Sequence, residues 1–359
     1  MRRPTPRDLA RVAASIVSLL VIASCGDESP TQPSNPAVPG TTLSLATASN
    51  SWSPIAPMPC CFGASVSVGA VPNAAGQSIA YVFGGTTDAG GTGAPVRAYN
   101  VATNTWSVET GESNFGFNLN GVGVIGGKLY VTGGYEEHGE APRAASTWVY
   151  DPATDIITQK ADMPLHTADG VTGVIGDKLY VLPGSCYAIG TEAPGYCNQD
   201  EFIRKLFRYN PATDIWVTKA SAPHYHKNGV GGVINDKFYV VGGNKDFDPP
   251  TRALDVYDPA TNTWKTLAPL PTALQGLAGT ALRGQLFVTG GTGFGGSGTR
   301  RMYAYNPTSN KWISKAAPPA GIGAFTNSAA KVSLNGTSRM VVIGGPLIDS
   351  PSTSGIYTP

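Results

Sequence analysis

His166, His224 and His226 carry imidazoles that could shuttle protons or converge on a metal, with His138 as a fourth. No carboxylate stands at ligand spacing beside them and no paired histidine spacing falls on a helix, so no metal centre is expected. No Ser, His and Asp set reads as a nucleophile with its base, so no catalytic residue and no cofactor are assigned. Tyr225 sits between two of the histidines, and Glu136, Glu137, Asn244, Asp246 and Asp248 fall in neighbouring loops. Cys60, Cys61, Cys186 and Cys197 complete the reactive set. Cys186 and Cys197 share one insertion, and a disulfide closing it is expected in an oxidising compartment. Cys60 and Cys61 then form a vicinal bond or stay as two free or cross-paired thiols.

The segments that must position these residues repeat. VYDPATNTW ends at Trp264, and related copies end at Trp106, Ile157, Trp216 and Trp312. Each has a tyrosine seven residues earlier, at Tyr99, Tyr150, Tyr209, Tyr257 and Tyr305. Upstream of each lies a strand-like run closing on a glycine pair, as in YVTGG at Gly133 and YVVGG at Gly242. Successive pairs lie about 50 residues apart, the period of a propeller blade. Pairs begin at Gly84, Gly133, Gly242, Gly290 and Gly344, with Pro183 standing for the first glycine of the third, so six blades are expected.

Each blade reads as four strands. The inner strand is small-residue rich, as in GVGVIG from Gly121, because inner strands converge on one axis. Two-residue turns such as Asn235-Asp236 and Arg283-Gly284 suit tight hairpins. The glycine pair allows close backbone approach or left-handed conformation where blades meet. Asp-Pro-Ala-Thr-Asn turns the chain from the Tyr strand to the Trp strand, and Tyr and Trp lock the blades. In such a meander, loops after the second strand and between blades share one face, which holds every long loop and all four histidines. That face is the expected binding site. The longest insertion lies in the third blade, where 25 residues separate Gly184 from Tyr209 against 12 to 16 elsewhere.

The Gly-Gly, Tyr, Trp pattern resembles the kelch repeat over about 300 residues, Trp52 to Pro359. The resemblance implies an all-β fold, a six-bladed β-propeller that acts as a monomer. The last copy reaches Tyr357 without a Trp strand, while Trp52 stands alone before the first blade. The strand around Trp52 is therefore expected to complete the sixth blade and remove exposed sheet edges. Kelch propellers imply recognition of a protein, peptide or glycan. Two enzyme families built on similar blades give alternatives. Copper radical oxidases such as galactose oxidase are suggested by Tyr225-His226 and by Cys60 or Cys61, but Phe115, Phe117 and Asn118 stand where a cross-linked tyrosine is needed. Similarity to N-acetylneuraminate epimerase suggests a sugar mutarotase, with Glu137, His166 and His226 as acid and base candidates by position. Ligand-binding candidates on the loop face are thus Asn118, Glu137, His138, Asn244, the other three histidines, Tyr225 and the Cys60-Cys61 pair.

With 45 Gly, 29 Pro and 14% charged residues, the chain is rich in turns and poor in surface helix. Arg2, Arg3, Arg7 and Arg11 precede an apolar run from Val12 to Ser24 that is too short for a permanent membrane helix and shaped like a secretory signal. Ile22-Ala23-Ser24-Cys25 resembles the lipobox of bacterial lipoproteins. That resemblance implies a signal peptide over residues 1–24 and an acylated Cys25, holding the protein to the membrane by lipid alone and facing the periplasm or exterior. The Pro-rich stretch 25–50 reads as a tether and 51–359 as the propeller. Removing residues 1–24 takes away four Arg and Asp8, so the formal charge falls from +1 to −2. No basic stripe remains for nucleic acid.

Overall fold

Tight turns and alternating apolar residues divide the chain into short antiparallel strands, and the computed structural model gathers them into six four-stranded sheets. The structure describes residues 48–58, 65–85, 95–109, 115–116, 118–135, 145–187, 202–245, 248–296, 298–320, 322, 328–344 and 354–359. Blade one covers residues 66–108, blade two 122–160, blade three 171–219, blade four 230–266 and blade five 275–314. Blade six takes three strands from 328–358 and its outermost strand from Ser51–Pro54, paired antiparallel with Gly355–Thr358. The architecture is the six-bladed β-propeller expected, closed by the strand that carries Trp52.

The repeated aromatics explain how the sheets are fastened. Tyr99, Tyr150, Tyr209, Tyr257, Tyr305 and Tyr357 are all fully buried. Each hydroxyl donates to an Asn or Asp held at positive φ: Asn104, Asp155, Asp214, Asn262, Asn310 and Asn50. In blade four, Asn262 Oδ1 also accepts the backbone N–H of Ala220 at 3.1 Å, and Trp264 Nε1 donates to the Ala220 carbonyl at 2.8 Å. Ala220 belongs to the linker arriving from blade three, so one blade's Asn and Trp grip the strand-to-strand crossover from its neighbour. The same clamp holds Ala56, Ala161, Ala268 and Ala316. Burial pushes the Tyr257 and Tyr305 hydroxyls up to about 12, so both remain donors at neutral pH. Blade two has Ile157 opposite Tyr150 and so lacks the indole donor.

Small residues on the inner strands have a different cause from the one the sequence suggests. A Cβ on Gly123 would lie 2.2 Å from Leu179 Cδ1, and one on Gly173 would lie 2.6 Å from Phe238 Cδ2. The neighbouring blade's large side chain, not crowding at the axis, demands the glycine. Where Gly133, Gly242 and Gly290 reach φ of 65°, 68° and 70°, proline cannot follow. At Pro183 the chain instead runs on to Ser185–Tyr187, which pairs with His166–Ala168 in an extra two-stranded sheet.

Candidate functional site

Five blades turn into their innermost strands through a residue at positive φ: Ser65 (77°), Asn118 (54°), Asp169 (60°), Asn228 (56°) and Gly276 (64°). Asn, Asp and Gly tolerate this conformation best. The turn aims each backbone sideways. Asn118 N–H donates to the Ser65 carbonyl at 3.3 Å, Asp169 to Asn118 at 2.9 Å, Asn228 to Asp169 at 2.9 Å and Gly276 to Asn228 at 2.8 Å. A chain of backbone bonds thus runs blade to blade around the loop-side mouth of the axial channel. All five residues line that cavity, whose volume is about 640 Å³. The Asp169 carboxylate lies 3.3 Å from Ser185 Oγ and 3.8 Å from Lys227 Nζ, with its side chain 5% exposed. Of this ring only Asn118 stood out in the sequence; the usable signal was a Ser, Asn or Asp just ahead of the small-residue strand in blades one to four.

The loop leading into blade four folds over Asp255, whose side chain is fully buried in the strand Leu254–Asp258. His224 Nδ1 lies 2.9 Å from Asp255 Oδ2, and the His224 backbone N–H donates to the same oxygen at 3.2 Å. Thr266 donates to Oδ1 at 2.8 Å. His226 is fully buried, with Nε2 3.2 Å from Asp255 Oδ2 and Nδ1 2.8 Å from the Gly242 carbonyl. A neutral imidazole has one N–H, so filling both His226 contacts takes a second proton shared with Asp255. Burial pushes the Asp255 carboxyl up, but hydrogen bonds from His226, Thr266 and His224, with the His226 charge, more than offset this and hold it below its ordinary range.

The two histidines therefore differ in use. A carboxylate only accepts, so His224 carries its proton on Nδ1 and presents Nε2, an acceptor and base, on a side chain 44% exposed. Between them, Tyr225 has the Arg204 guanidinium 5.2 Å and the Lys245 ammonium 5.1 Å from its ring centre.

Among the other expected residues, His166 is half-buried and opens the short strand paired with Tyr187. Asn244 lies beneath the face rather than on it: it is buried, exchanges backbone bonds with Lys227, and donates from Nδ2 to the Asp248 carbonyl at 3.2 Å. His226 likewise sits below the surface, which corrects its expected role as a ligand-contacting group. Phe115 is buried edge-on against Phe83. Cys186 is buried and disulfide-bonded. Cys197, Cys60, Cys61, Glu136, Glu137, His138, Asp246 and Phe117 lie outside the described residues. A copper centre on Tyr225 and His226 does not fit, since both His226 ring nitrogens are taken by Gly242 and Asp255.

The model of the Kelch motif matches residues 118–164, 227–271 and 274–319. These three stretches carry kelch motifs. It is 31% identical over 154 residues to Kelch-like protein terF of Aspergillus terreus, covering 42% of this chain and 32% of that one. It is 28% identical over 120 residues to Kelch-like protein 23 of Pongo abelii, covering 33% and 19%. An F-box/kelch-repeat protein of Arabidopsis thaliana, At1g22040, matches at 28% over 102 residues, or 28% and 19%. The chain thus spans a third or less of the length of these relatives. Its fold is similar to a solved structure titled "Structure of YjhT", with a TM-score of 0.63, 17% identity and coverage of 84% of this chain and 95% of that one.

Proposed function

We propose that this kelch propeller is a binding module that takes a protein, peptide or glycan partner on its loop-rich face, centred on the channel mouth. One contrast carries the reading. The Tyr, Asn and Trp clamps are taken up with fastening one blade to the next, while Ser65, Asn118, Asp169 and Asn228 gather around one channel mouth. A concave cavity with convergent polar groups is a common form of recognition site, and this one exposes more polar than apolar surface. We assign the disulfide of Cys186 to Cys197, within the blade-three insertion, and acylated Cys25 tethers the module outside the cytoplasm.

A form beginning at Gly26 retains every described strand and serves for glycan and peptide arrays. Asn118→Ala with Asn228→Ala, or His224→Ala, is expected to weaken the captured ligand at least tenfold, whereas Lys311→Ala on an outer strand leaves it unchanged. Equal binding by all of them removes the loop face from consideration. Incorporation of radiolabelled palmitate, lost in Cys25→Ser, tests the anchor.

The outward Nε2 of His224, backed by Asp255, favours a second reading as a sugar mutarotase, since anomer exchange needs a base at the anomeric hydroxyl. Exchange measured by NMR on free sugars would rise with protein and fall with His224→Gln.

A further inference from the structure

The channel has a second polar feature, at the opposite end from the mouth. Cross-strand partners define an equivalent position on each inner strand, two residues before the turn in blades two to five: Val124 opposite Leu129, Val174 opposite Leu179, Val233 opposite Phe238 and Ala281 opposite Leu286. Blade one has Ala70 opposite Ala80. Blade six has Lys331 opposite Met340. All six line the same cavity, so a ring of methyl and isopropyl groups is interrupted by one ammonium.

Lys331 is exposed within this channel and makes no hydrogen bond or ion pair among the described residues. Among the described residues the lining holds one carboxylate, Asp169, and it is already met by Lys227 and Ser185. Asp169 stands five residues along its strand from Val174, roughly 16 Å at 3.3 Å per residue, so it cannot neutralise the lysine directly. The Thr280 hydroxyl, in the adjoining blade five, lines the cavity too and has no hydrogen-bond partner among the described residues. An unpaired cation at a concave opening attracts an anion that enters it, and an ammonium offers three donors.

We infer that the axial channel is an oxyanion site in which Lys331 binds the carboxylate or phosphate group of a small ligand, with Thr280 as a second donor. The cavity volume of about 640 Å³ is of the size that takes a small molecule. Such a ligand enters along the axis and carries its charge at the end away from the loop-side ring. This site is separate from partner binding on the loop face, and either can fail without the other.

Equilibrium dialysis of the full chain with radiolabelled inorganic phosphate, and separately with acetate, at ionic strength held constant with sodium chloride, tests it. Saturable binding of one anion per chain is expected for at least one probe. Lys331→Met and Lys331→Gln should each weaken it at least tenfold, Lys331→Arg should retain it, and Lys265→Met, on an exposed outer strand, should leave it unchanged. Binding of phosphate alone assigns a phosphate group to the natural ligand, acetate alone a carboxylate, and both a site that reads charge. No saturable binding of either, or equal binding by a folded Lys331→Met or Lys331→Gln, overturns the proposal.

Discussion

Tyr357 donates its hydroxyl to Asn50 Oδ1 across 2.7 Å, joining residues 307 positions apart. Asn50 also accepts the Ala316 backbone N–H at 2.9 Å, and Trp52 Nε1 donates to the Ala316 carbonyl at 2.9 Å. The ring is thus closed by the same three contacts that fasten blades one, three, four and five to the linkers arriving from their neighbours, here assembled from opposite ends of the chain. Asn50, which the sequence placed at the end of a tether, is part of the fold.

Asn50→Ala leaves a buried phenol and a backbone N–H without their acceptor, at a cost of about 1–3 kcal/mol. Urea unfolding should show a lowered midpoint comparable to that of Asn310→Ala, which breaks the matching clamp in blade five. An unaltered midpoint for Asn50→Ala alone would mean that the ring does not depend on this closure.

Gly173→Ala places a methyl group against the Phe238 ring, which is fully buried and has nowhere to move. The expected loss is about 1–3 kcal/mol, as for other overpacked cores. Adding Phe238→Leu should recover part of it, and a double-mutant cycle measures the coupling. Purely additive losses would place the strain elsewhere.

Acid stability should report on Asp255. Its folded-state carboxyl is held below the ordinary value of about 3.9, so its contribution is present above that pH and fades as pH falls through the lowered folded value. Asp255→Asn removes the acceptor charge beside buried His226 and should cost about 3–5 kcal/mol near neutrality. Stability curves of wild type and variant are expected to converge towards acid pH, and parallel curves would contradict the assignment.

Cys186, buried and already bonded, should resist alkylation in the folded, unreduced protein. After unfolding without reductant it should still resist, and label only once reduced, as peptide mass mapping will show. Labelling on unfolding alone would mean a free thiol.

The blade count, strand order and closing strand could all be read from the sequence because they depend on local chemistry. Turn residues such as Asn235-Asp236 need positive φ, and the Tyr to Trp spacing recurs at a fixed interval. The partner of each small residue could not be read, since the atom that excludes a Cβ at Gly173 belongs to Phe238 in the next blade. His224 and His226 are two residues apart and looked interchangeable. Asp255, brought beneath them by a strand about thirty residues later, buries one and orients the other outward. Lys331 was an ordinary lysine until the ring set it among Ala70, Val124 and their counterparts around one axis. Periodicity in the chain determined the scaffold. Packing of distant strands decided which polar atoms face solvent, because burial depends on what the neighbouring blade brings to the contact.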